Sequence, residues 1–252
     1  MIEIIVIGYG NVGSHLIEVL LSNTSINLKQ VYNRSIEKIE HLLSKCPITN
    51  SFDEILEADV YIIAVSDDEI STVSKALKID NKLVVHTSGS VDMNILNSNR
   101  KGVFYPLQTF TKNKSIDFSN IPLCIEANND SDLILLEKLA SKISNNSFIL
   151  DSCQRKKMHL AAVFVNNFAN HLYHIGYTIC EENTVPFEIL HPLMEETLNK
   201  IKGIPPLDSQ TGPAKRNDQK TITLQLGQLS EAQQKIYMSL TNSIINTYKN
   251  HG

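Results

Sequence analysis

Residues 2–7, Ile-Glu-Ile-Ile-Val-Ile, form a nearly unbroken apolar run, as expected of a strand covered on both faces. Over residues 11–21 the apolar positions Val12, Leu16, Val19 and Leu20 recur at helical spacing. The alternation continues with strands expected at 28–32, 60–65 and 83–86 and helices at 36–43 and 70–77. Further strands are expected at 102–105, 122–126 and 148–150, with a helix at 133–143 before the last. Strand and helix alternating with short connections predict an α/β fold, a Rossmann-like and mostly parallel sheet with helices on both faces.

The pattern changes after residue 151. Asp151-Ser152 can cap a helix. From Cys153 to about Glu182 there is no proline, a single glycine, and an apolar stripe through Leu160, Phe164, Phe168, Leu172, Ile175 and Ile179. That pattern predicts one long amphipathic helix. Another is expected over 186–202, kinked or divided at Pro192, then a Pro/Gly-containing loop over 203–218, then helices at 221–229 and 231–248. The expected organisation is an α/β domain over 1–151 and an all-α domain over 152–252.

Composition narrows the function classes. The chain has 252 residues, a net charge of −4, 42% hydrophobic and 20% charged residues. Such a chain folds around a real core, and its weak charge offers no overall field for nucleic acid or an anionic membrane. No apolar run is long enough for a membrane span, and the N-terminus lacks the pattern of a signal peptide. Cys46, Cys124, Cys153 and Cys180 lie far apart, without metal-ligand spacing. Reduced thiols in a cytoplasmic protein without a metal centre are the expectation.

The chemistry-bearing motif is Gly8-Tyr9-Gly10-Asn11-Val12-Gly13. It follows an expected strand and opens an expected helix, the context in which G-x-G-x-x-G binds a dinucleotide. Gly8 permits the tight turn, Gly10 lets backbone approach a pyrophosphate, and Gly13 allows close packing. NAD sites commonly place Asp or Glu about 20 residues on, at the end of the second strand. Here that region reads Val31-Tyr32-Asn33-Arg34-Ser35. No carboxylate is present; Arg34 and Ser35 suit a 2′-phosphate, so the expected cofactor is NADP(H). Val65 and Ser66 end a later strand at the ligand edge of such a sheet and should line the cofactor, with Asp67 and Asp68 read as helix caps. Ser88, in His86-Thr87-Ser88-Gly89-Ser90, either faces the nicotinamide or caps a following helix.

Candidate catalytic groups fall in the helical part. His159 and Asn166 are two turns apart on one helix face, about 10.5 Å of rise, and Asn170 continues that face. Histidine suits proton transfer near neutral pH, and asparagine can orient a carbonyl; a plain polar surface is the competing reading. The loop Thr211-Gly212-Pro213-Ala214-Lys215-Arg216-Asn217-Asp218 can hold an anion through Arg216, or be a capped connector. Tyr105-Pro106-Leu107-Gln108-Thr109-Phe110 leaves a strand end on the same presumed ligand side.

Taken with residues 86–90, 104–110, 155–170, 192–200 and 210–218, these motifs span nearly the whole chain. The sequence resembles bacterial two-domain proteins with a Rossmann-like N-terminal half and a C-terminal helical domain of unknown function. They group with β-hydroxyacid and 6-phosphogluconate dehydrogenases, pyrroline-5-carboxylate reductases and deazaflavin-dependent NADP reductases. The resemblance implies NADP binding, an interdomain cleft and a homodimer through the helical domain. It also marks a departure. β-Hydroxyacid dehydrogenases carry a lysine four residues before an active-site asparagine, where this chain has Ala162 before Asn166. The leading expectation is an NADP(H)-dependent oxidoreductase acting on a small, anionic carbonyl, hydroxy-acid or imine substrate, with His159 as acid/base, Asn166 and Asn170 orienting and Arg216 holding the anion. The alternatives are a non-catalytic NADP-binding sensor or interaction protein, and a pyrroline-5-carboxylate-type imine reductase.

Overall fold

The computed structural model describes residues 1–79, 81–112 and 114–249. It divides into two compact units, Met1–Asn167 and Phe168–Gly252. The first is built on one eight-stranded sheet in the order β3-β2-β1-β4-β5-β6-β7-β8. Along the chain these elements are β1 (Ile2–Ile7), α1 (Asn11–Ser22), β2 (Ile26–Tyr32), β3 (Ile48–Thr49), β4 (Val60–Ile63), α2 (Ile70–Ala76), β5 (Leu83–His86), β6 (Arg100–Pro106), β7 (Leu123–Ala127), α3 (Asp130–Ile143) and β8 (Ser147–Ile149). Every neighbouring pair is parallel except β6 with β7, whose connection carries no α-helix and returns the chain antiparallel.

The apolar run of β1 is continuous because both its faces are covered. Ile4 and Val6 pack with Leu16, Ile17 and Leu20 of α1 and with Leu136 and Leu139 of α3. Ile5 and Ile7 pack on the opposite side with Tyr61, Ile63, Ile70 and Leu77. β2 and β4 flank β1, so the strand order reverses at β1. In open α/β sheets that reversal opens a crevice beyond the carboxyl ends of the strands, here the ends of β1 and β4.

One expected helix is absent. Residues 36–43 form two short 3₁₀ turns, Ile36–Lys38 and Glu40–Leu42. Ile36, Ile39 and Leu42 recur every three residues, matching three residues per 3₁₀ turn rather than 3.6. The expected single helix from Cys153 is also interrupted. α4 (Ser152–Ala162) is followed by a π-helical stretch, Val163–Phe168, and then by α5 (Ala169–Glu182). Asp151 caps α4 in a reciprocal box with Gln154, as its sequence suggests. The units divide inside the π-helical stretch rather than after Asp151, because Arg155 and His159 of α4 are bonded to the sheet unit.

The second unit is helical throughout. After α5 come α6 (His191–Gly203), α7 (Pro206–Ser209), α8 (Gln219–Leu226) and α9 (Glu231–Lys249). Pro192 stands in the first turn of α6, where its missing N–H costs nothing; a separate 3₁₀ turn, Phe187–Leu190, precedes it. Within the 210–218 loop, Lys215 donates to the Gln210 carbonyl at 2.8 Å and lies 5.0 Å from the centre of the Tyr248 ring. Asp218 caps α8 through the Thr221 N–H at 3.1 Å.

Candidate functional site

A cavity of about 910 Å³ in the first unit opens at the strand-order reversal. The glycine loop forms its floor, with Gly8, Tyr9, Gly10, Asn11 and Val12 all lining it. Gly8 has φ +109°, and a Cβ there would run into the carbonyl of Ala64. A Cβ on Gly13 would meet the carbonyl oxygen of Gly8, so Gly13 serves by packing α1 onto the loop and is not part of the cavity wall. A Cβ on Gly10, by contrast, has nothing within 4 Å. No side chain caps α1 and no acidic residue stands in its first turn. Its first N–H groups and positive dipole end are therefore available to an anion. The loop fits a dinucleotide pyrophosphate on these three observations.

The end of β2 forms one side of the cavity. Asn33 accepts the Tyr9 N–H at 3.2 Å and donates to the Ser35 carbonyl at 2.7 Å. Its amide thus braces the glycine loop where other dinucleotide folds place a ribose-binding carboxylate. Ser35 is not in the cavity wall; its carbonyl is taken up by Asn33. Arg34 is exposed and lines the cavity, joined by Lys38 one turn on. Lys38 escapes the sequence reading because it is placed by the 3₁₀ turns, not by a helix. Tyr32 and Phe52 stack at 4.3 Å between centroids and add an apolar wall.

The other side is made by the ends of β4, β5 and β6 and by α4. Val65 and Ser66 line the cavity as expected, with Thr87, Ser88 and Gly89 facing them. Asp67 is not a cap: the 3₁₀ turn it begins has no side-chain cap, and its carboxylate accepts the Ser90 hydroxyl, tying two loops together. Ser88 takes the first of the two roles left open by the sequence and not the second: it caps no helix, and the 3₁₀ turn that follows, Met93–Ile95, is capped by Asp92. Ser88 lines the cavity, and its Oγ accepts the N–H groups of Ser90 and Val91, each at 3.1 Å.

Tyr105 and His159 meet here. The Tyr105 hydroxyl lies 3.0 Å from His159 Nδ1, and both side chains line the cavity. Burial pushes the Tyr105 phenol up to about 12, so it holds its proton at neutral pH. Gly89 makes room for the pair: a Cβ there would lie 2.6 Å from His159 Nδ1 and 2.8 Å from Tyr105 Cζ. Tyr105 cannot be singled out in the sequence, since its inward position depends on the β6 register.

Arg155, one turn before His159 and almost wholly buried, anchors α4. It pairs with Glu126, donates to the carbonyls of Ser88 (3.2 Å) and Val91, and so fixes the Ser88–Val91 turn. Glu126 also accepts the N–H and hydroxyl of Ser152, each at 2.9 Å. His86 lies beneath. It accepts the Ser88 N–H on Nδ1 at 3.1 Å, and burial, reinforced by Arg155, lowers its pKa to about 4, so it is neutral.

The remaining candidates are placed differently. Asn166 is exposed in the π-helical stretch, whose extra residue per turn breaks the spacing that would put it over His159. Asn170 in α5 and Arg216 in the 210–218 loop are both exposed and belong to the second unit. Among the described residues no cluster suits a metal ion, and all four cysteines are free thiols.

Comparison with known proteins agrees with this architecture. Residues 3–89 match a family described as NADP oxidoreductase, coenzyme F420-dependent, and residues 121–244 match a domain of unknown function, DUF2520. A Bacteroides fragilis protein, described as a "putative NADP oxidoreductase", shares 36% identity over 97% of this chain and 98% of its own, with a TM-score of 0.88. The chain belongs to that two-domain NADP oxidoreductase family. An imine reductase of Myxococcus stipitatus in complex with NADP⁺ has the same fold at 12% identity, with a TM-score of 0.66 over 98% of this chain and 93% of that one. A pyrroline-5-carboxylate reductase of Methanobrevibacter smithii is 31% identical over 97 residues. That match spans 35% of this chain and only 39% of the length of the curated relative. No helix among the described residues is long and apolar enough to cross a membrane.

Proposed function

We propose that this chain is an NADP(H)-dependent reductase of a small imine or carbonyl compound carrying an anionic group. The observation that carries the reading is the Tyr105–His159 pair in the wall of the same cavity as the glycine loop. When bound, NADPH supplies the hydride and both electrons. Gly8 to Val12 and the α1 N-terminus hold the pyrophosphate, and Arg34 with Lys38 favours the 2′-phosphate.

The chain's own task in the chemistry is the proton. Reducing C=N or C=O places hydride on carbon and requires one proton on the heteroatom. The Tyr105–His159 pair supplies it: the phenol stays protonated, and the imidazole replenishes it from solvent. Arg155 and Glu126 hold α4, and hence His159, in position. Asn170 is assigned to substrate orientation and Arg216 to the anionic group. No lysine is required in this scheme, which accommodates Ala162. Several large apolar side chains of the second unit are exposed, Ile189 and Leu193 at 66% and 64% among them, and we assign this unit to homodimer formation.

The test is NADPH oxidation over a panel of cyclic imines, including pyrroline-5-carboxylate, and of keto acids. Tyr105→Phe and His159→Asn should each lower kcat by about 100-fold or more while leaving NADPH binding unchanged. Unchanged turnover removes the proton-transfer assignment. Tight NADPH binding with no turnover on any member would favour the second reading, a non-catalytic NADP-dependent sensor, which the Ala162 position supports.

A further inference from the structure

We propose that Lys112, carried by the connection between β6 and β7, is a phosphate-binding residue of the dinucleotide site; this rests on the NADP reading above. Lys112 lines the main cavity. It also lines a second cavity, of about 650 Å³, on the flank of α1. Tyr9, Lys38 and Lys112 belong to both walls, so the two spaces adjoin at the glycine loop. The second wall adds His41 and Lys114, with Glu18 as its carboxylate.

An exposed lysine is ordinarily a solvated surface charge, and three features bear on Lys112. First, like Lys38 in the same wall, its ammonium forms no ion pair or hydrogen bond among the described residues, so no carboxylate competes with a phosphate for it. Second, it lines the same cavity as Asn11 and Val12 at the α1 N-terminus, whose uncapped N–H groups already favour an anion. Third, residues on either side of it, Phe110 and Lys114, are held against α1. His15, buried in α1, sets Nδ1 2.7 Å from the Asn11 carbonyl and Nε2 2.9 Å from the Lys114 carbonyl; a neutral ring donates to one of these two acceptors, and the Nε2–H tautomer is the one that joins α1 to Lys114. Phe110 packs 5.1 Å from the His15 ring and 5.9 Å from Phe118. One side chain of α1, His15, thus meets both Phe110 and Lys114, the residues that bracket Lys112. Lys112 adds a mobile point charge to the fixed dipole of the helix, while the phosphate is oriented by backbone N–H groups.

The experiment is calorimetric titration of the full chain with NADPH and with NADH, for wild type, Lys112→Ala, Lys112→Arg and Lys114→Ala, at two salt concentrations. Lys112→Ala is expected to weaken NADPH binding by about tenfold, the loss of one charge-assisted contact, and to flatten its salt dependence. Lys112→Arg should retain most of the affinity, and Lys114→Ala should bind as wild type. A loss confined to NADPH assigns Lys112 to the 2′-phosphate; an equal loss with NADH assigns it to the pyrophosphate. Wild-type affinity in Lys112→Ala for both nucleotides, or an equal loss in Lys114→Ala, overturns the assignment while the dinucleotide reading stands. Failure of the wild type to bind either nucleotide overturns both.

Discussion

The glycine loop makes opposite demands at two positions only two residues apart, and substituting each with alanine separates folding from binding. At Gly8, φ is +109° and a new Cβ would run into the Ala64 carbonyl, which belongs to the backbone and cannot move to another rotamer. Backbone strain of about 1–3 kcal/mol and overpacking of about 1–3 kcal/mol together make Gly8→Ala destabilised by roughly 2–6 kcal/mol. That is a large share of the 5–15 kcal/mol typical of a domain. Gly10 has φ −84° and ψ −165°, ordinary extended geometry, and open space around its Cβ position. Alanine there gains about 0.4–1 kcal/mol from a less free unfolded chain and loses a similar amount as a poorer N-cap. Gly10→Ala should therefore stay within about 1 kcal/mol of wild type. Its methyl group nevertheless projects into the space the pyrophosphate must approach, and NADPH binding should weaken at least tenfold, about 1.4 kcal/mol. Urea denaturation and calorimetry on both variants measure the two quantities. A Gly10→Ala protein that binds NADPH like wild type would refute the assignment of this loop. A Gly8→Ala protein as stable as wild type would refute the packing argument.

Two further outcomes follow from buried and exposed side chains. Below about 6.5, the ordinary value for histidine, the unfolded chain takes up a proton that folded His86 refuses until about 4. His86 thus withdraws stability as pH falls through that window, in full about 3 kcal/mol at about 1.4 kcal/mol per unit. Urea midpoints between pH 7 and pH 4 should fall less steeply for His86→Leu than for wild type; parallel curves would remove His86 from the account. Light scattering at micromolar concentration should give twice the chain mass, and Ile189→Glu with Leu193→Glu should give the monomer. A monomeric wild type would eliminate the homodimer.

Local pattern determined a good deal of this protein. The continuous apolar run of residues 2–7 announced a strand with two covered faces, and Gly8 to Gly13 after it announced the tight turn into α1; the positive φ of Gly8 and the packing of Gly13 on the Gly8 carbonyl are local, whereas the Ala64 carbonyl that closes on Gly8 is not. Asp151 announced the start of α4, as a cap involves only its own turn; the reciprocal bond from Gln154 came from the structure. Arg34 was legible because it lies two residues past the end of β2. Lys38 was not, since a 3₁₀ turn set by Ile36, Ile39 and Leu42 carries it to the cavity. The π-helical stretch was equally hidden, and with it the displacement of Asn166 from the face of His159.

Tertiary structure alone decided which polar groups share a cavity. Tyr105 and His159 are separated by 54 residues, and their hydrogen bond exists because Gly89 leaves space and Arg155 moors α4. Asp67 was turned from a helix cap into a partner for Ser90 by the adjacency of two loops in the parallel sheet. Chain pattern fixes periodicity and turns, which depend on neighbours a few bonds away. The identity of a proton donor depends on distances across the sheet, and these are set by strand order and by what the core leaves room for.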